Sequence, residues 1–128
     1  MAELQVDAVT KEYPTRGDPL VVLRGISLEL DRRESLAVVG PSGSGKSTLL
    51  NIIGTLEPPS SGRVVLAGRD PAELDEPALA LFRNRNIGFV FQEHHLLPQC
   101  SVLENVLVPT IASGATGPEA VGRARALL

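Results

Sequence analysis

Residues 36–54, LAVVGPSGSGKSTLLNIIG, interrupt an apolar run with closely spaced glycines and a single lysine. Within them, Gly40-Pro41-Ser42-Gly43-Ser44-Gly45-Lys46-Ser47 follows the pattern G-x-x-x-x-G-K-[ST] at every fixed position. This spacing suits a polyphosphate, whose negative charges must be held without rebuilding the site around them. Backbone N–H groups from Gly43 to Ser47 can converge on an anion only where side chains do not crowd them. A helix expected to begin at Lys46 aims its free N–H groups and positive dipole end at the same place. Lys46 supplies a full charge for β- and γ-phosphates. The Ser47 hydroxyl suits Mg²⁺, a hard ion that prefers oxygen. A glycine-rich turn could meet the pattern by accident, but the preceding apolar strand and following helix make that rare.

Other reactive side chains carry weaker signals. His94 and His95 are adjacent, so their imidazoles point different ways on most backbones, and no Cys or further His completes a ligand set. Cys100, the one cysteine, lies in the loop stretch LPQCSV and reads as incidental. A lone cysteine forms no internal disulfide, which fits a reducing, cytoplasmic setting. Lys plus Arg number 12 against 15 Asp plus Glu, a net charge of −3, so no basic field for nucleic acid exists. The start MAELQVD has neither the basic nor the apolar region of a signal peptide. No apolar stretch approaches the ~20 residues needed to span a bilayer.

The elements that must position the cradle follow from periodicity. Residues 2–9 and LRGISLEL alternate apolar and polar, as half-buried antiparallel strands do, with the loop TRGDP between them. SLAVV is nearly continuous and apolar, which predicts a strand buried on both faces. KSTLLNIIG predicts a short helix ending near Gly54. EPPSSG is a turn and RVVLAG a strand paired with the early ones. DEPALALFRNR predicts a helix with Pro77 in its first turn. IGFVF predicts a strand, SVLENVLVP a helix capped by Ser101, and GPEAVGRARALL a further helix. The fold class expected is α/β: a phosphate-loop core with a parallel sheet and flanking helices, fronted by an antiparallel β portion.

With these residues in view, the sequence resembles the ATP-binding subunits of ABC transporters. Four landmarks carry the resemblance: VGPSGSGKSTLLNIIGTLEPPSSGRVVLAGRD; Tyr13 in VTKEYP; Gln92 in IGFVFQ; and HHLLPQCSVLENVLVP. The wording is most similar to the lipoprotein-releasing and macrolide-exporter branches. On residues alone, Tyr13 is either an ordinary strand-end tyrosine or a flat ring able to stack on a base, and Gln92 is a polar residue at a strand exit. The resemblance makes Tyr13 the adenine-stacking aromatic and Gln92 a residue near Mg²⁺ and the attacking water. It implies a nucleotide cradle of Gly40, Pro41, Ser42, Gly43, Ser44, Gly45, Lys46, Ser47 and Thr48. Lys46 and Gln92 then assist catalysis, Ser47 and Gln92 contact the metal, and ATP and Mg²⁺ are the cofactors.

The same resemblance implies a transmembrane permease partner docking on His94 to Pro98, where Leu96, Leu97 and Pro98 form an exposed apolar patch. It also implies a homodimer or pseudo-dimer sandwiching two ATP molecules, located at the cytoplasmic face of the membrane. The cargo it suggests is lipoprotein-like, lipid or hydrophobic. The family's water-activating acids, glycine-rich signature and switch histidine have no match in this sequence. Asp75-Glu76-Pro77 has matching letters, but Pro71-Ala72-Glu73-Leu74 before it is no apolar strand, so it reads as a helix start. The sequence therefore reads as the N-terminal portion of a single domain, residues 1–128, with core strands lacking neighbours and apolar surface left open. Two other functions stay in view. One is a non-catalytic nucleotide-binding fragment. The other is a different phosphate-loop enzyme, disfavoured because no Asn-Lys-x-Asp guanine reader is present.

Overall fold

Alternating apolar and polar residues build two long strands, β1 (Leu4–Tyr13) and β2 (Leu20–Leu30), in the computed structural model, which describes residues 2–128. Helix α1 (Lys46–Ile53) and strand β3 (Ser61–Leu66) follow, then a 3₁₀ turn at Pro71–Glu73. These belong to a first unit running to Asp75. Its sheet has the order β2-β1-β3 and is antiparallel throughout. The expected strand at RVVLAG thus pairs with β1, and β1 ends on Tyr13.

A register shift in β1 decides what enters the core. Strict alternation from Leu4 and Val6 would turn Ala8 inward and Val9 outward. Pairing instead shifts between Val6 and Val9, and Ala8 adopts a φ of 46°. This bulge returns Val9 to the buried face, where it is fully enclosed. Leu4, Val6, Val9, Leu23 and Val64 form one cluster with Leu49 and Ile52 of α1. Burying a side chain of this size contributes roughly 1.5–3 kcal/mol. The bulge also fixes a glycine. Gly62 has a φ of 84°, and a Cβ there would lie 2.4 Å from the Ala8 carbonyl oxygen.

The second unit runs from Glu76 to Leu128 and holds α2 (Glu76–Asn86), α3 (Val102–Ser113) and α4 (Pro118–Leu127). Asp75-Glu76-Pro77 is the start of α2, with Glu76 in its first turn. Ser101 caps α3 through a reciprocal box: its hydroxyl accepts from the Glu104 amide, and the Glu104 carboxylate accepts from the Ser101 amide. Helix α3 runs through Pro109 and stops at Gly114, which takes the left-handed conformation. The Asn84 side-chain amide donates to the Pro109 carbonyl at 2.7 Å, tying α2 to α3.

Two expected strands are not formed. SLAVV (35–39) and IGFVF (87–91) belong to no ladder among the described residues. SLAVV was expected to be buried on both faces, yet Leu36 and Val39 are exposed, Val39 at 86%. Val90 and Phe91 are exposed as well. The reason is physical: a strand is defined by its neighbours, and the described residues place none beside either segment. Leu36, Val39, Val90 and Phe91 thus leave apolar surface open among the described residues.

Two substitutions test this architecture. Gly62→Ala should destabilise the first unit by at least ~2 kcal/mol, since a side chain must both adopt positive φ and displace β1 backbone; urea unfolding measures it. Ser101→Ala should cost about 1 kcal/mol at the start of α3, read as faster hydrogen exchange of the Glu104 and Asn105 amides with little change in β1.

Candidate functional site

Helix α1 begins where the glycine-rich loop ends, and its first turn is left open. Gly45 is the N-cap, with no side-chain cap bond and no acidic residue in the first turn. Most helices fill this position with a hydroxyl or carboxylate that accepts from the free amides. Here the amides of the first turn and the positive dipole end face an exposed loop. Gly45 carries a φ of 95°, and a Cβ would sit 3.0 Å from methyl groups of Val22 and Leu23 and 3.1 Å from the Val22 carbonyl oxygen. The loop thus lies directly on β2, and only glycine fits. At Gly43, by contrast, a Cβ would meet nothing within 4 Å, so the mouth of the cradle is open.

Lys46 is folded over this loop. Its Nζ donates to the carbonyls of Gly40 at 2.7 Å and Pro41 at 2.6 Å, with Ser44 Oγ a weaker partner at 3.4 Å. An ammonium has three N–H donors. Two hold the loop closed, and the third goes only to the weak Ser44 partner. The Ser44 amide donates to the Pro41 carbonyl at 3.2 Å, tightening the same turn. Ser42 and Ser47 are exposed beside it, and Thr48 is half-buried. The donor set fits a nucleotide polyphosphate: bare helix amides, one cation and a free hydroxyl, with no competing acid in the first turn.

Tyr13 is half-buried at the end of β1. Its hydroxyl donates to Glu57 Oε1, and the Lys11 ammonium stands 5.2 Å from the ring centroid. Lys11 Nζ also lies 3.3 Å from Glu57 Oε1 and donates to the Pro58 carbonyl at 2.7 Å. The bond to Glu57 raises the Tyr13 phenol above its ordinary range, while the Thr48 hydroxyl in α1 pulls it the other way. Glu57 moves down correspondingly, held by Tyr13 first and by Lys11 after it. The first unit therefore brings Tyr13 and Thr48 together beside the helix that carries Lys46. The sequence reading missed Glu57 and Lys11. Lys11 shares a strand face with Tyr13 at a spacing of two, which was a usable signal. Glu57 is 44 residues away and had none.

Gln92 lies exposed in the second unit, just after Phe91. Phe91 stacks on Phe89 with ring centroids 5.3 Å apart, and His95 sets its edge against Phe91 at 4.7 Å. His94 Nδ1 accepts from the Leu96 amide at 2.9 Å. The next turn is clamped by Asn105. Its Oδ1 accepts from the Leu97 amide at 2.8 Å, and its Nδ2 donates to the carbonyls of Leu97 at 3.2 Å and Ser101 at 2.9 Å. Leu96 and Leu97 are left exposed, at 58% and 40%.

Comparison with known proteins gives these features a family. Residues 23–127 match the family model described as ABC transporter. The chain is similar to the lipoprotein-releasing system ATP-binding protein LolD 1 of Rhodopirellula baltica, 55% identical over 125 residues, covering 98% of this chain and 55% of that protein. It is also similar to LolD of Nitratidesulfovibrio vulgaris, 48% identical over 124 residues, covering 97% of this chain and 53% of that one. Among solved structures it resembles the ATP-binding cassette MJ0796, a dimer in a post-hydrolysis state bound to ADP and Pi. That likeness has a TM-score of 0.85 and 37% identity, over 95% of this chain and 54% of the cassette. The chain spans about half the length of the curated relatives it matches. A full glycine–lysine–serine cradle, in an α/β frame superposable on such cassettes, leads to one assignment: the chain belongs to the ABC transporter family of ATP-binding proteins.

Proposed function

We propose that this chain binds Mg·ATP as part of a subunit that hydrolyses ATP to drive a separate membrane partner in releasing lipoprotein-like cargo. The observation that carries the binding step is the uncapped first turn of α1 set against an open loop with Lys46 folded across it. Residues Gly43 to Ser47 would offer amides to the β-phosphate, and Lys46 would turn its third N–H toward the β- and γ-phosphates. Ser47 would hold Mg²⁺, and Gln92 would stand near metal and water. When bound, Mg²⁺ supplies charge neutralisation to the phosphates. The remaining contribution of these residues is positioning and electrostatic stabilisation. Tyr13 would present its ring to the adenine.

The cargo class rests on the LolD relatives, and the pairing of two cassettes rests on the dimeric MJ0796 structures. Docking to the membrane partner is assigned to the turn around Leu96 and Leu97, whose apolar side chains are exposed on a turn held by Asn105. No helix among the described residues is long and apolar enough to cross a membrane. The subunit would work at the cytoplasmic face of that membrane. The alternative is a fragment that binds nucleotide without turning it over, favoured by the start of α2 at Asp75-Glu76, which removes those acids as the water-activating pair. Phosphate release by this chain alone would overturn the second reading.

Two experiments test the proposal. Lys46→Ala should weaken Mg·ATP binding roughly tenfold to 150-fold, the equivalent of one charge-assisted hydrogen bond; unchanged affinity by calorimetry would remove the binding assignment. Replacing Leu96 and Leu97 with Asp should abolish co-purification with the membrane subunit while leaving nucleotide affinity intact. Full retention of the complex would move the docking surface elsewhere.

A further inference from the structure

Tyr13 is held at two points by groups outside the phosphate loop, and both meet at one carboxylate. Glu57 accepts the Tyr13 hydroxyl and pairs with Lys11 Nζ at 3.3 Å, while that ammonium stands 5.2 Å from the ring centroid. Lys11 is fastened in turn by the Pro58 carbonyl at 2.7 Å. The side chains of Lys11 and Glu57 are only 12% and 23% exposed, far less than an ordinary surface pair. A free phenol at a strand end turns about χ1 and χ2 and loses that freedom when a base stacks on it. A phenol anchored at its hydroxyl, with a cation at the ring, has already lost much of it.

We propose that Glu57 is a positioning residue for the nucleotide base: through the Tyr13 hydroxyl and Lys11 it fixes the Tyr13 ring in the orientation that receives adenine. The proposal rests on the reading of Tyr13 as the base-stacking residue. Glu57 is bonded to Tyr13 and Lys11 and reaches the cradle helix only through the Tyr13 hydroxyl and Thr48, so its effect falls on the base rather than on the phosphates. The readout is therefore the ratio of affinities for Mg·ATP and for magnesium tripolyphosphate, which has phosphates and no base.

Calorimetry on the purified protein gives that ratio. Tyr13→Ala should lower it about tenfold or more, the loss of a stacked base. Tyr13→Phe keeps the ring and removes the anchored hydroxyl, and should lower the ratio about threefold; Glu57→Ala should do the same. Glu57→Gln keeps an oxygen for the hydroxyl and should restore most of the loss. Tyr13 is the one tyrosine, and the chain has no tryptophan, so the phenol can be titrated alone by ultraviolet absorbance. Its midpoint should stand above the ordinary range and fall in Glu57→Ala. A phenol held neutral stabilises the fold below its unfolded midpoint, and that contribution is lost as pH rises through the higher folded one. A wild-type ratio in Tyr13→Phe or Glu57→Ala, with the ratio lowered in Tyr13→Ala, overturns the positioning role and leaves base stacking standing. A wild-type ratio in Tyr13→Ala overturns both. A Glu57→Gln ratio as low as Glu57→Ala overturns the hydroxyl anchor.

Discussion

Helix α1 leaves its first-turn amides without a side-chain acceptor, and that unmet demand organises the first unit. A helix with an uncapped start gives up about 1 kcal/mol that a serine or aspartate would have supplied. Eight residues are too few to be helical on propensity alone. What holds α1 is its apolar stripe: Leu49 and Ile52 are buried against Leu4, Val6, Val9, Leu23 and Val64. The packing face and the binding end are thus different parts of one short element. The sheet supplies the stability, so the helix start can stay without a side-chain cap.

The sheet is adapted to that task in two places. The bulge at Asp7 and Ala8 keeps Val9 in the core under the helix, and it forces glycine at position 62. At the other end, Gly45 lets the loop rest on Val22 and Leu23, which sets the height of the cradle over β2. Lys46 closes the loop on its own carbonyls, so the ammonium is already oriented by bonds within the loop. This is preorganisation in a literal sense: the orienting bonds are made in advance.

The second unit solves a different problem. Its turn at 96–101 carries apolar side chains into solvent, an arrangement that backbone alone would hold poorly. Asn105 answers it by matching both the N–H and the C=O of Leu97, as a neighbouring strand would. The capping box at Ser101 then fixes the start of α3, on which Asn105 rides. Leu96 and Leu97 stay exposed on a turn whose backbone is held in this way.

Much of this was legible in the order of residues. The spacing of Gly40, Gly45, Lys46 and Ser47 marked the cradle, because phosphate binding by backbone depends on local conformation that glycine alone permits. The helix starting at Lys46, the Ser101 cap and the start of α2 at Glu76 were equally local, each set by residues within one turn. Strand pairing was readable for β1, β2 and β3, whose alternation names a buried face. SLAVV and IGFVF showed where local reading ends. Their composition is that of buried strands, but a ladder needs a neighbour that composition cannot supply. The meeting of Tyr13 with Glu57 was likewise decided in three dimensions. The residues are far apart in sequence, and they touch only because β1 and the turn after α1 are brought together by the core. Sequence by itself determined which backbone could hold a phosphate. Tertiary packing decided which side chains meet Tyr13, because contacts between distant segments have no signature in the spacing of either one.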